Sequence, residues 1–175
     1  MTKLIITTGL SAAGKSTVSK MIADKLSLPL VHTTKIMREY AGSLGYTRLT
    51  PFFTDSGYRK AYAIVRPLIL KEVKEHAGVG AVVDGVHDYR LYKEICDNYG
   101  RKNVRVVTIG AARKYRVRRH AERRGLGIKE ADEGVTSRDK IAIAGGTKKI
   151  IDDSDFKIKN EKSLKWCIRE IIKHV

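Results

Sequence analysis

Cysteine is nearly absent from this chain. Cys96 and Cys167 are the only two in 175 residues, and no Cys-x-x-Cys spacing occurs. That excludes a disulfide scaffold and a cysteine-built zinc site. Aromatic residues are sparse at 7%, with one tryptophan, and proline occurs three times. No apolar run approaches the roughly 18 residues of a membrane span. The apolar stretch at the start, Leu4-Ile5-Ile6, is too short for a signal peptide. Acid is the other shortage: 19 Asp and Glu stand against 35 Lys and Arg, a formal net charge of +16. An excess of this size implies anionic partners such as phosphates, nucleic acid or acidic lipid, without choosing among them. A cytoplasmic protein that does not enter membranes, monomeric or homodimeric, is the expectation.

What is present is an ordinary globular mix, 42% hydrophobic and 31% charged. The length suits one domain over residues 1–175, with a core large enough to fold without staples. Apolar runs of strand length alternate with helical patterns. Strands are predicted at 3–8, 29–32, 80–84, 104–109 and 155–159. The first carries Leu4, Ile5 and Ile6 without polar alternation, so both its faces are buried. Helices are predicted at 15–27, 33–44, 56–77, 89–99, 112–124, 137–150 and 163–174, with Pro67 kinking or dividing the third. Gly145-Gly146 interrupts or ends the sixth. Residues 45–57 read as loop around Pro51, and 125–135 as a mobile loop because Gly125, Gly127 and Gly134 stand in it. This alternation predicts an α/β fold: three layers, a five-stranded parallel sheet with helices on both faces, and a small lid.

Directly after the first strand, Gly9-Leu10-Ser11-Ala12-Ala13-Gly14-Lys15-Ser16 fits G-x-x-x-x-G-K-[ST]. The glycines let consecutive N–H groups converge on phosphate oxygens, and the helix that follows adds a partial positive charge. Lys15 is placed to reach the β- and γ-phosphates and the Ser16 hydroxyl to bind Mg²⁺. Gly9, Ser11, Ala12, Ala13, Gly14, Lys15, Ser16 and Thr17 form the predicted nucleotide site. A buried strand before the loop and a helix after it are the context that confirms such a motif.

With that loop in place, the chain resembles the P-loop nucleoside monophosphate kinase superfamily over nearly its whole length. Adenylate kinases, archaeal cytidylate kinases and dephospho-CoA kinase-like proteins are the relatives it is similar to. Three further stretches carry the resemblance. His32-Thr33-Thr34-Lys35-Ile36-Met37-Arg38 looks like the acceptor segment S-T-G-D-x-x-R of adenylate kinases, with Thr33 and Arg38 matching and Lys35 replacing an acid. Asp84-Gly85 resembles their strand-end Asp-Gly, with His87 and then Arg90 near the position of a usual arginine. Arg113 to Arg124 holds six Arg and one Lys against Glu122, and Arg116, Arg119 and Arg123 share one helical face. That face is similar to the R-x-x-R-x-x-x-R approach to a lid, and Arg138 to an arginine on the lid's far side. The tail from Asp155 to Leu164, with Asn160 in it, looks like the ending of dephospho-CoA kinase-like proteins.

The resemblance implies an ATP-dependent phosphotransferase using ATP and Mg²⁺. It makes residues 34–76 an acceptor-binding segment and 113–140 a lid region. Lys15, Asp84, Arg116, Arg119, Arg123 and Arg138 take the catalytic roles, and Thr33, Arg38, Asp84, Gly85 and Arg59 bind the acceptor, with Arg48 as a further candidate. Asp84 additionally reaches the metal through water. Guanidinium groups suit this chemistry because charge spreads over the transferring oxygens. Dephospho-CoA kinases carry an Asp as base at the end of the second strand, where His32 or Thr33 stands here. The expected acceptor is therefore a nucleotide-like small molecule that offers a phosphate, which needs no strong base. Two alternatives stand beside it: dephospho-CoA kinase-like activity, and an adenylate kinase-like NTPase coupled to RNA or ribonucleoprotein, motivated by the charge outside the basic helix.

Overall fold

Five short parallel strands, β1 (Leu4–Thr8), β2 (Leu30–His32), β3 (Ala81–Asp84), β4 (Val104–Gly110) and β5 (Phe156–Lys159), lie side by side in the order β2-β3-β1-β4-β5. The computed structural model describes residues 4–76 and 78–175. The ends of two predicted elements, Lys3 and Ala77, lie outside the described residues.

Each strand sends alternate side chains to opposite faces, and the sequence supplies apolar residues for both. Leu4 and Ile6 of β1 join Val83, Val104 and Val106 in one core, whereas Ile5 joins Val82, Val107 and Ile109 in the other. The first core is covered by α2 (Thr33–Ser43), α3 (Leu49–Ser56), α4 (Tyr58–His76) and α5 (Tyr89–Tyr99). The second is covered by α1 (Lys15–Leu26) and α9 (Leu164–Ile172). Beyond β4 come α6 (Arg113–Arg124), α7 (Ile128–Gly145) and α8 (Thr147–Asp152). α6 and α7 share a small core of their own, built on Val117, Ala121, Ala131 and Val135.

Two predicted loops are helices. Within 45–57, α3 forms because Phe52 and Phe53 are fully buried among Tyr40, Tyr46, Tyr58 and Tyr62. Pro51 falls in its first turn, where a missing N–H costs nothing. Within 125–135, only Gly125-Leu126-Gly127 turns, and α7 runs on from Ile128. Gly134 sits inside that helix because a Cβ there would come within 2.8 Å of His120 Nε2 on α6. Its glycine marks a close helix approach, not a loop. Pro67 leaves α4 continuous.

Neighbouring strands β1 and β3 send the chain to opposite faces, β1 into α1 and β3 into α5. Such a reversal opens a crevice at the carboxyl ends of the strands. The Gly9–Ser16 loop and the Gly85–Asp88 turn both border it.

Candidate phosphoryl-transfer site

α1 begins at Lys15 with no side-chain cap and no acid in its first turn. Its first N–H groups therefore lack intrahelical partners and face the loop, an anion-binding arrangement. Gly14, the residue before it, has φ +94°. A Cβ there would run into the Asn160 side-chain amide, so glycine is required both by conformation and by packing. Ala12 holds φ 58° without being glycine, a strained conformation that the loop's other contacts sustain.

Those contacts come from outside the loop. Asn160, 3% exposed, donates its amide to the Ala13 carbonyl at 2.9 Å. Arg119 donates to the Asn160 carbonyl and, at 3.4 Å, to that of Ala13. Arg116 donates to the Ser11 carbonyl at 3.0 Å and to Asp139 Oδ2 at 2.8 Å. Asp139 Oδ1 accepts the Ser11 N–H at 2.9 Å. Arg116 and Arg119 thus brace the loop from behind, and the Ser11 amide is already occupied. The sequence had pointed to both arginines as catalytic and to Ser11 as a phosphate ligand. Asp139 and Asn160 were not expected in the site. Both stand in the lid and tail stretches, but one sequence does not reveal that they reach back to residue 11 or 13.

Lys15 crosses the mouth of the loop, with Nζ donating to the Leu10 carbonyl at 2.9 Å. Burial lowers its pKa to about 8 despite Asp84 and Asp139 nearby. Ser16 and Thr17 are exposed at the helix start. Asp84, 2% exposed at the end of β3, accepts from Ser19 Oγ at 2.9 Å and Thr7 Oγ1 at 3.3 Å on Oδ1, and pairs with His32 Nδ1 at 3.1 Å on Oδ2. Among the described residues no three His, Cys, Asp or Glu side chains gather into a metal cage. A hydroxyl at Ser16 and a single carboxylate at Asp84 suit a hard cation that brings its own waters and shares a substrate's phosphates, as Mg²⁺ does.

At the start of α2, Thr33 is fully buried, and its hydroxyl donates to the Asp84 and Gly85 carbonyls at 2.7 and 3.0 Å. It clasps α2 to β3 instead of facing a substrate. Among the described residues, the polar atoms around Gly85 without a protein partner belong to Thr34 and His87: a Cβ on Gly85 would lie 3.8 Å from Thr34 Oγ1 and 3.9 Å from His87 Nε2.

Over this crevice the arginines converge. Burial, followed by the charges of Arg123, Arg124, Arg38 and Arg48, lowers the Arg138 pKa to about 10. Arg123 is lowered as well, by burial and then by Arg124 and Arg38. Four segments, α2, the residue before α3, α6 and α7, contribute to one cationic cluster. Among the described residues none of these five arginines pairs with a carboxylate. His120, 2% exposed, faces Arg123 Nη2 at 3.4 Å and Arg138 Nη1 at 3.5 Å through Nδ1. Burial and the arginines lower its pKa, which keeps the ring neutral and able to accept. Arg59, by contrast, lies exposed on α4, and among the described residues no ion pair or hydrogen bond ties it to the group. No helix is long and apolar enough to cross a membrane among the described residues.

No protein-family model matches the chain. It is 23% identical over 173 residues to a UPF0200 protein of Methanothermobacter thermautotrophicus, covering 96% of this chain and 86% of that one. Among solved structures it is similar to shikimate kinase from Bacteroides thetaiotaomicron, with a TM-score of 0.64 at 18% identity over 98% of this chain and 96% of that one. Shikimate kinase from Acinetobacter baumannii in complex with shikimate gives 0.67 at 13% identity over 99% and 92%. A putative kinase from Chloroflexus aurantiacus gives 0.62 at 16% over 99% and 98%. With the phosphate loop and the five-stranded parallel sheet, these likenesses show that the chain has the α/β P-loop kinase fold of these structures.

Proposed function

We propose that this protein is an ATP-dependent small-molecule kinase that moves the γ-phosphoryl group of ATP to a nucleotide-like, anionic acceptor. The observation that carries this reading is Lys15 at the uncapped start of α1, which feels the charge of Arg123, itself one of five arginines that lack carboxylate partners among the described residues. So much uncompensated positive charge in one crevice suits a polyanion, to which guanidinium groups donate bidentately. Lys15 and the α1 amides hold the donor phosphates, and Ser16 with Asp84 hold Mg²⁺, which neutralises charge on the phosphate oxygens when bound. Arg123 and Arg138 lie on the lid side, where charge grows on the transferring group. Arg38 and Arg48 come from the acceptor side.

The RNA-coupled NTPase draws its support from net charge. The exposed large apolar side chains among the described residues are all aliphatic, which leaves it without a stacking platform of the kind single strands use. Dephospho-CoA kinase-like activity is one case within the small-molecule reading.

The test is Lys15→Ala. Phosphotransfer should fall by about 10³-fold with weaker ATP binding, as expected for removing a principal charge on the transferring group. ATP binding and turnover equal to the parent protein would sink the assignment. Nucleic-acid binding that collapses as salt rises, without transfer to any small molecule, would favour the RNA reading.

A further inference from the structure

The turn from β3 to α5 carries a histidine that the phosphate loop does not account for. His87 Nδ1 lies 3.1 Å from Thr147 Oγ1, the first residue of α8, and Thr147 Oγ1 lies 3.3 Å from the carbonyl oxygen of His87 itself. Thr147 is fully buried. Its hydroxyl has one proton, and the carbonyl can only accept it. When the hydroxyl gives that proton to the carbonyl, its oxygen accepts Nδ1–H, and the lone pair of the neutral ring falls on Nε2. Nε2 has no protein partner among the described residues. It faces the space above Gly85 that Thr34 Oγ1 also borders, with Thr33 Oγ1 3.6 Å from the same point. Behind the ring, Gly145 at the end of α7 approaches so closely that a Cβ there would come within 2.6 Å of the His87 carbonyl. The seat is therefore rigid. Burial and the charge of Lys15 hold the ring well below the ordinary histidine range, so it stays neutral at neutral pH.

We propose that His87 Nε2 receives the proton of an alcohol on the acceptor, so that the accepting atom is a hydroxyl oxygen of an anionic small molecule. This inference rests on the kinase reading above and narrows its substrate. In the step, the acceptor oxygen bonds to the γ-phosphorus, and the bond from that phosphorus to the β,γ-bridging oxygen breaks. Its electron pair stays on ADP. The hydroxyl proton passes to Nε2 and from there to water. A weak base is sufficient because the transition state is loose, and the oxygen becomes acidic only as its bond to phosphorus forms. Lys15 then disfavours a lasting imidazolium, which resets the ring. The end of β2 lacks the carboxylate base on which the sequence argument for a phosphate acceptor turned. The β3–α5 turn supplies a base in its place.

The experiment offers Mg·ATP with two acceptor sets: AMP, CMP, UMP and GMP in one, and shikimate, dephospho-CoA and glycerol 3-phosphate in the other. Phosphorus NMR distinguishes a new phosphate ester from a new anhydride. The expected product is an ester, and His87→Gln should lower kcat by about 10²-fold with KM for ATP unchanged. Thr147→Val should lower it less, by freeing the tautomer. Anhydride formation, or His87→Gln as fast as the parent, overturns the proposal. If no compound in either set accepts, the long-range proton–nitrogen spectrum of the histidine rings decides. A bare Nε2 on His87 supports the proposal, and a protonated Nε2 at neutral pH overturns it. Failure of the kinase reading looks different, since Lys15→Ala would then bind ATP as tightly as the parent.

Discussion

Arg116 and Arg123 stand seven residues apart on α6, yet they live in opposite environments. Arg116 is 6% exposed and locked between Asp139 and the Ser11 carbonyl. Arg123 reaches a neutral histidine and other arginines. The phosphate-loop side of the crevice is a braced structure in which Lys15, Arg116 and Arg119 each have a carbonyl or carboxylate. The side built from α2, α6 and α7 is a set of like charges without a carboxylate partner among the described residues. The residue type is the same, and a carbonyl or carboxylate neighbour decides whether an arginine is braced into the structure or left among like charges.

Three substitutions break or sharpen that contrast. The largest effect should follow Arg138→Ala, which on the proposed reading removes a charge that stabilises the transferring group: kcat should fall by about 10³-fold or more. The melting temperature should hold or rise, because repulsion from Arg123, Arg124, Arg38 and Arg48 is relieved. A stability loss with kcat intact would place Arg138 in the braced class. Arg116→Met should do the reverse. It strands Asp139, 7% exposed, without its partner and should cost about 3–5 kcal/mol in a urea unfolding titration. Arg116→Met with Asp139→Leu should recover part of that loss, and a double variant as unstable as the sum of the singles would refute the pairing.

The smallest effect concerns pH. The Lys15 pKa is about 8 in the folded protein against 10.5 for the free side chain. Between those values the unfolded chain holds a proton that the folded one has released. Through this group, stability therefore rises as pH rises across that window. ATP affinity moves oppositely: it should be flat below about pH 8 and weaken above it as the ammonium discharges. Calorimetric titration on either side of pH 8 checks this, and Lys15→Arg should remove the break.

Periodicity and the phosphate-loop motif are local signals, and they were legible. Leu4-Ile5-Ile6 read as a two-sided strand because both faces carry branched apolar residues. Tyr89–Tyr99 read as a helix for its amphipathic spacing. The misreadings came from glycine and proline. Gly134 and Pro51 carry loop signals in sequence, but tertiary contact keeps them in helices: His120 crowds the first, and the buried Phe52 and Phe53 draw in the second.

The sequence by itself determined that a strand, a glycine-framed loop and a helix follow one another and set Lys15 and Ser16 at the start of that helix. It also determined that basic side chains far outnumber acids. Each of these is fixed within a few residues of the chain or by composition alone. Only the tertiary structure decided which arginines are free. Asp139 reaches Ser11 across 128 positions and Asn160 reaches Ala13 across 147. It likewise decided that the Thr33 hydroxyl is spent on β3 while His87 Nε2 is not. A side chain's role depends on which partner occupies its hydrogen-bonding atoms, and partners that far apart meet only when the sheet and its covering helices have packed.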